Sequence, residues 1–408
     1  MDFLSQLGSG DITAFIKVAL QFFFYAIFFA IPVFLIKINF DLWMRYRRGL
    51  FFNKQEYIVL EIKPPKDVFK SPRATEFFIN GMWDPGSEGT FLEKHWKGKL
   101  RMWQSLEIVS LGGVVKFLAW VKKGDKNKIE ANLYSQYPGI EIYEQDDYSL
   151  EVTYTPEVND IWATEFDLTK PDAYPIKTYI DYGLEKDPKE EYKLDPITPL
   201  IEAMGAIPPG HQAWFQIIIR GHKAENVDPV TGKLVDLKWQ KGAEEEINKI
   251  IAKTKGDKDA EGKPVPGTNR SLTSGESDII AALERSVSKS GFDVGMRMMY
   301  IANKDVFNMA NIGGLVGGVM HFNSSLNGFK PSRGFSSKKP KDLQFEKKAM
   351  LDAYKKRSYF YKIPPSPYFV LNTEELATIF HFPGSVAGTP TFSRTESRKA
   401  EPPSNLPI

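Results

Sequence analysis

The chain contains no cysteine, which excludes disulfides, thiolate zinc sites, iron–sulfur clusters and cysteine nucleophiles together. Histidine is scarce. The five present, His95, His211, His222, His321 and His381, never fall at a metal-ligand spacing such as H-x-x-x-H. No G-x-x-x-x-G-K-[ST] occurs, so the loop that cradles nucleotide phosphates in a motor is missing. No G-x-S-x-G nucleophile elbow occurs either. An excess of one charge is also lacking. Against 51 acidic residues stand 53 basic ones, and a net charge of +2 gives no global pull toward nucleic acid. None of these patterns implies a cofactor or a metal.

What is present begins at the N-terminus. From Val18 to Ile36 the chain reads VALQFFFYAIFFAIPVFLI, with Gln21 its one strongly polar residue. At 1.5 Å rise per residue, about 20 apolar residues match the hydrocarbon thickness of a bilayer. A cleaved signal peptide has a shorter apolar core with positive charge before it. Here Asp2 and Asp11 precede the run, while Arg45, Arg47 and Arg48 follow it. Apolar residues all round the helix argue against a buried soluble one. The reading is a transmembrane helix over 13–38. A short extracytoplasmic stretch, 1–12, precedes it, and a basic and aromatic juxtamembrane segment, 39–56, follows. Positive charge stays cytoplasmic, so the bulk after Asp41 is expected on that side, Lys17 being outweighed.

Beyond the anchor the pattern is α+β. A strand over Tyr57–Pro65, a helix over Ser71–Trp83, a hairpin over 104–123 turning at Gly112–Gly113, a helix over Asp125–Gly139 and the strand IEIYEQ follow in order. That β-α-β-β-α-β order is the ferredoxin-like motif, placed at 57–148. A second such unit is expected at 149–330, with strands in Thr164–Tyr182, His211–Gly221 and Gly295–Lys304. Its helices fall at Asp195–Ile207, 242–254, 276–290 and Phe307–Asn323, and a polar Gly/Pro-rich insertion lies near 253–277. The glycines Gly313, Gly314, Gly317 and Gly318 lie within a helical pattern, where they indicate close helix packing rather than a nucleotide loop. Residues 331–408 read as a Pro-rich extension carrying one short helix.

Two stretches carry the candidate sites. In "EKHWKGKLRMW", Lys94, Lys97, Lys99 and Arg101 interleave with Trp96 and Trp103, a mixture suited to a membrane surface, to the domain core or to single-stranded nucleic acid. In "NTEELATIFHFPG", Asn372 or Thr373 caps a helix, Glu374 and Glu375 favour its positive end, and Pro383–Gly384 stops it. A catalytic His381 would need a nucleophile beside it, and no neighbour in sequence supplies one. Leu371, Leu376, Ile379, Phe380, His381 and Phe382 are therefore expected to dock, onto the α/β units or onto a partner.

The words "WKGKLRMWQSLEIVSLGGVVKFLAWV…EANLYSQYPGIEI", "DPITPLIEAMGAIPPGHQAWFQIIIRG" and "LNTEELATIFHFPG…TP…RKAEPPSNLP" resemble, in this order, the non-motor region of type IV secretion and conjugation ATPases of the FtsK/HerA superfamily. The closest likeness is to those of archaea and candidate-phylum bacteria. In that family the last words lead into the motor, which does not follow here. The resemblance implies a membrane-anchored, non-enzymatic component of a translocation machine that docks a separate FtsK/HerA-type ATPase. The lipid bilayer is a second partner, with self-association and nucleic acid as further options. The alternative function is a membrane-tethered module that binds single-stranded nucleic acid.

Overall fold

The computed structural model describes residues 9–65, 70–185, 195–223, 226–227, 234–235, 239–254, 270–361 and 367–383. They fall into two compact units, one within 1–55 and 87–101, the other within 56–86 and 102–408. The expected extracytoplasmic stretch up to Gly8, the middle of the polar insertion (255–269) and everything after Pro383 lie outside the described residues.

In the first unit a single helix, α1 (Ser9–Phe52, 44 residues), carries the whole apolar run. It does not end at Ile38. The juxtamembrane segment continues the same helix, because residues 39–52 contain neither proline nor a glycine before Gly49. Pro32 sits inside without ending the helix, as proline does in helices whose neighbourhood is apolar. Among the described residues the apolar stretch is not buried, and the helix is long and apolar enough to cross a membrane.

The second unit is mixed α/β. Its elements in chain order are β1 (Tyr57–Lys63), α2 (Pro72–Gly81), β2 (Gln104–Leu111), β3 (Val114–Lys122), α3 (Lys126–Gln136), β4 (Glu141–Gln145), β5 (Asn159–Leu168), α4 (Thr198–Gly205) and β6 (His211–Gly221). There follow two-residue strands β7 (Asn226–Val227) and β8 (Leu234–Val235), then α5 (Trp239–Ala252), α6 (Ser274–Val287), β9 (Gly291–Asn303), α7 (Met309–Met320), β10 (Phe329–Arg333), α8 (Pro340–Lys355), β11 (Phe369–Asn372) and α9 (Thr373–Ile379). Local chemistry sets several boundaries. The Ser71 side chain accepts from the Arg73 N–H, with Pro72 in the first turn of α2. The β2–β3 hairpin turns at Gly112 (φ 61) and Gly113 (φ 89), the left-handed pair that a tight hairpin requires. A Cβ on Gly113 would lie 2.8 Å from the Ile207 carbonyl oxygen.

All strands but β7 and β8 join one sheet, in the order β10-β5-β9-β6-β2-β3-β1-β4, with β11 pairing the start of β9. Every pairing is antiparallel. Within each set of four the spatial order is fourth-first-third-second. The two sets meet edge to edge at β2–β6, which pair through eight residues from Gln104↔Ile219 to Leu111↔Gln212. The units expected at 57–148 and 149–330 thus share one continuous sheet. Pairing the apolar, buried β6 removes the edge that each set alone would expose.

The two faces of this sheet differ in chemistry. On one, alternate residues such as Leu60, Ile108, Phe117, Ile217, Met298 and Phe166 join side chains of α2, α3, α4, α7 and α9 in one apolar core. Gly318 of α7 lies so close to Leu200 of α4 that a Cβ would come within 2.7 Å of its Cα, the close helix packing expected of that glycine run. On the opposite face the register brings polar residues into one row: Glu107↔Gln216, Gln216↔Arg297, Arg297↔Glu165 and Glu165↔Arg333. Arg297 Nε donates to Glu165 at 3.0 Å, Arg333 Nε to the same carboxylate at 2.7 Å, and Gln216 Nε2 to Glu107 at 2.9 Å. Arg357 clamps Glu107 with Nε at 3.0 Å and Nη2 at 3.1 Å, and also holds Asp147. The end of α8 and the residues after it cover this row, for Arg297 also donates to the carbonyls of Ala353 and Ser358.

Residues 331–361 are therefore no extension. Ser332 and Arg333 end β10, and a 16-residue helix follows, opened by Pro340.

Candidate functional site

The candidate membrane-contacting residues of the first unit are brought together as expected only in part. After Gly86 the chain leaves the second unit and runs through a π-helical turn, Glu93–Lys97, to a left-handed Gly98 (φ 72). This excursion packs on α1. The Trp43 indole N–H donates to the His95 carbonyl at 3.2 Å, Arg47 Nε donates to the Trp96 carbonyl, and the Trp43 and Trp96 rings lie 5.7 Å apart. The Arg47 guanidinium also lies 5.5 Å from the centre of the Trp43 ring. Gly98 is required here, since a Cβ would fall 2.3 Å from the Arg47 carbonyl carbon. Arg45, Arg47 and Arg48 all lie on α1 beyond its apolar run.

The expected pair of stacking tryptophans is not presented together. Trp96 is exposed, but Trp103 is buried in the second unit against Phe360 and Tyr361, and Arg101 is buried as well. The lysines are engaged locally: Lys94 with Glu88, Lys97 with Glu93 at 4.0 Å and Lys99 with Glu93 at 3.6 Å. The Thr90 backbone N–H and then Lys99 hold the Glu93 carboxyl below the usual carboxylate range.

Of the two places where the C-terminal candidates were expected to dock, they occupy the α/β unit itself. Leu371, Leu376, Ile379, Phe380, His381 and Phe382 are all buried, none more than 6% exposed. Phe380 and Phe382 meet the Phe117 ring edge-on at 5.5 and 5.2 Å. The Pro-flanked segment has inserted itself into its own core, and as folded it offers none of these six side chains to another molecule. Asn372 and Glu375 close a reciprocal cap at the start of α9. Glu375 also accepts from the Ile176 N–H at 2.9 Å. Burial pushes its carboxyl up to about 8, against the two backbone N–H groups that favour the charged form. His381 is committed on both nitrogens, Nε2 to Asp195 at 2.9 Å and Nδ1 to the Ala377 carbonyl at 2.9 Å. Burial opposes it, yet the neighbouring His381 holds Asp195 below its usual range. A general base needs a free nitrogen facing substrate, and this imidazole has none.

A cleft that the sequence reading missed lies on the second unit, lined by Arg73, Glu76, Tyr179, Glu185, Lys289 and Thr373, with a volume of about 370 Å³. Its charges neutralise one another. Lys289 bridges Glu76 at 2.6 Å and Glu374 at 2.8 Å, Arg73 meets Glu185 at 3.1 Å, and Glu76 also accepts from Tyr179 and Thr373. Glu76 is thus tied to three donors within the unit itself. These residues come from segments distant in the chain, so no local motif announces them. Among the described residues, no group of three or more His, Asp or Glu side chains is arranged to hold a metal ion.

Residues 51–395 match the profile of a family described as "Domain of unknown function (DUF8128)". No curated protein matches the chain.

Proposed function

We propose, for a chain that belongs to the DUF8128 family, a single-pass membrane protein whose α/β unit stands on the cytoplasmic side as a non-catalytic component of a type IV secretion- or conjugation-like machine. The observation that carries this reading is α1, long and apolar enough to cross a membrane and with its apolar stretch unburied among the described residues. An uncovered apolar surface of that length is stable in a bilayer and not in water. Arg45, Arg47 and Arg48, past the apolar run, support the cytoplasmic orientation.

The two four-stranded sets, each ordered fourth-first-third-second, support reading them as paired ferredoxin-like units, as the family resemblance implies. The partner is then a separate FtsK/HerA-type ATPase. Its contact surface lies elsewhere than the buried residues 371–382. An ATPase of that type co-expressed with the chain is expected to sediment with membranes, and to turn soluble when the chain is omitted. An ATPase that sediments equally in both cases contradicts the holding role.

A further inference from the structure

Phe91, Leu92 and Trp96 stand out on the surface of the first unit, at 75%, 68% and 66% exposed. Large apolar side chains grouped on a short excursion have a physical cause when they face something other than water. Their position along α1 says what. The His95 ring lies 4.2 Å from Phe91 and 5.8 Å from Phe40 of α1, and Phe40 follows Ile36, the last residue of the apolar run, by only four residues. At 1.5 Å per residue that is about 6 Å beyond the end of the apolar run. The headgroup layers widen the hydrocarbon's roughly 30 Å to about 40–45 Å in total, so Phe40 and the rings stacked on it fall within such a layer.

Gly98, with Lys97 and Lys99 on either side, instead meets Arg47, about 16 Å past Ile36 by the same rise. The excursion is therefore graded along the helix axis, aromatic toward the apolar run and basic away from it. That is the order in which an interfacial element meets lipid: rings at the acyl boundary, cations among the phosphates. Residues 87–99 hold three basic side chains, Lys94, Lys97 and Lys99, against two acidic ones, and Arg45, Arg47 and Arg48 add to them, a balance that favours anionic headgroups.

We propose that residues 87–99 form a second, interfacial membrane contact, with Phe91 and Leu92 entering the headgroup–acyl boundary of an anionic leaflet beside the exit of α1. The proposal rests on the reading of α1 as a bilayer span. Together the two contacts would fix the rotation of α1 about its own axis, which a lone helix leaves free.

The absence of cysteine makes the test free of background. Phe91→Cys, Leu92→Cys, Trp96→Cys, Phe28→Cys and Gly124→Cys are each introduced into the full chain, spin-labelled and reconstituted in phosphatidylcholine–phosphatidylserine vesicles. Label depth is read from accessibility to oxygen against a water-soluble nickel chelate. The expected result places position 28 deep in the acyl chains, positions 91 and 92 at or just below the phosphates, position 96 among the headgroups and position 124 in water. If 91, 92 and 96 match 124 while 28 is deep, the interfacial contact is wrong and the span stands. If 28 also reads as water, the span fails and the contact with it. Labels at 91, 92 and 96 that stay out of lipid but become shielded when a single-stranded oligonucleotide is added would overturn the lipid assignment in favour of nucleic acid.

Discussion

A chain that stops before Pro367 is expected to lose the cooperative fold of its α/β unit. Phe369, Val370, Leu371, Leu376, Ile379, Phe380 and Phe382 are each 6% exposed or less. Burying one such side chain stabilises by about 1.5–3 kcal/mol, so the seven together match the roughly 5–15 kcal/mol that holds a whole domain folded. The backbone adds to this. β11 pairs with β9 from Phe369↔Val294 to Asn372↔Gly291, and Thr378 Oγ1 of α9 accepts from the Tyr179 N–H at 2.9 Å. Removal would also uncover Phe117 of the main core, whose ring meets Phe380 and Phe382. Phe380→Ala is the milder variant, with an expected loss of about 3–5 kcal/mol from the cavity it leaves. Urea unfolding of the full-length, truncated and Phe380→Ala chains in one detergent checks both. A truncated chain with a sharp transition near that of the full-length protein would make residues 367–383 a detachable strap after all.

Arg357→Met is expected to cost about 3–5 kcal/mol, the usual result of removing one partner from a buried ion pair. Arg357 is fully buried, and its loss leaves Glu107, also fully buried, without the guanidinium that pairs with it at 3.0 Å. Glu107 would keep Tyr148 at 2.8 Å, Gln216 at 2.9 Å and Ser105 at 2.6 Å. Those neutral donors offset part of the loss but not the charge. The position is special in its backbone too, for Arg357 is the one non-glycine residue with positive φ (46°) among the described residues, a conformation kept only where the surroundings enforce it. Adding Glu107→Gln to Arg357→Met should recover part of the loss, since the fully buried carboxylate left without its cation is then gone. Additive costs in the double variant would show that the pair is not the source.

How far these features could be read from sequence depends on whether their causes are local. β6 was legible to the residue, His211–Gly221, because an apolar run bounded by Gly210 and Gly221 has few other solutions. The hairpin of β2 and β3 was legible through its glycine pair. α8 was missed because the whole of 331–408 was read as one Pro-rich extension, although Pro340 in a first turn followed by Lys347, Leu351 and Tyr354 at helical spacing is a helix signal. β11 spans only four residues between prolines and acquires its identity from β9. The segment 371–382 was open between its own α/β unit and a partner for a related reason. A capped amphipathic helix looks the same in sequence whether it covers its own core or another protein, and only the empty space beside Phe117 decides between them. The polar row from Glu107 to Arg333 and the clamp at Arg357 arise from register between distant strands, which no window of sequence contains.

The central claim, a chain anchored through α1 with its α/β unit in the cytoplasm, is tested most directly by labelling Gly124→Cys, an exposed position on that unit, with a membrane-impermeant maleimide. Intact cells are compared with lysed ones, and each fraction is washed with alkaline carbonate. The account predicts a protein that stays with the membrane pellet and takes up label only after lysis. Labelling in intact cells, or recovery of the full-length chain in the carbonate supernatant, would contradict it.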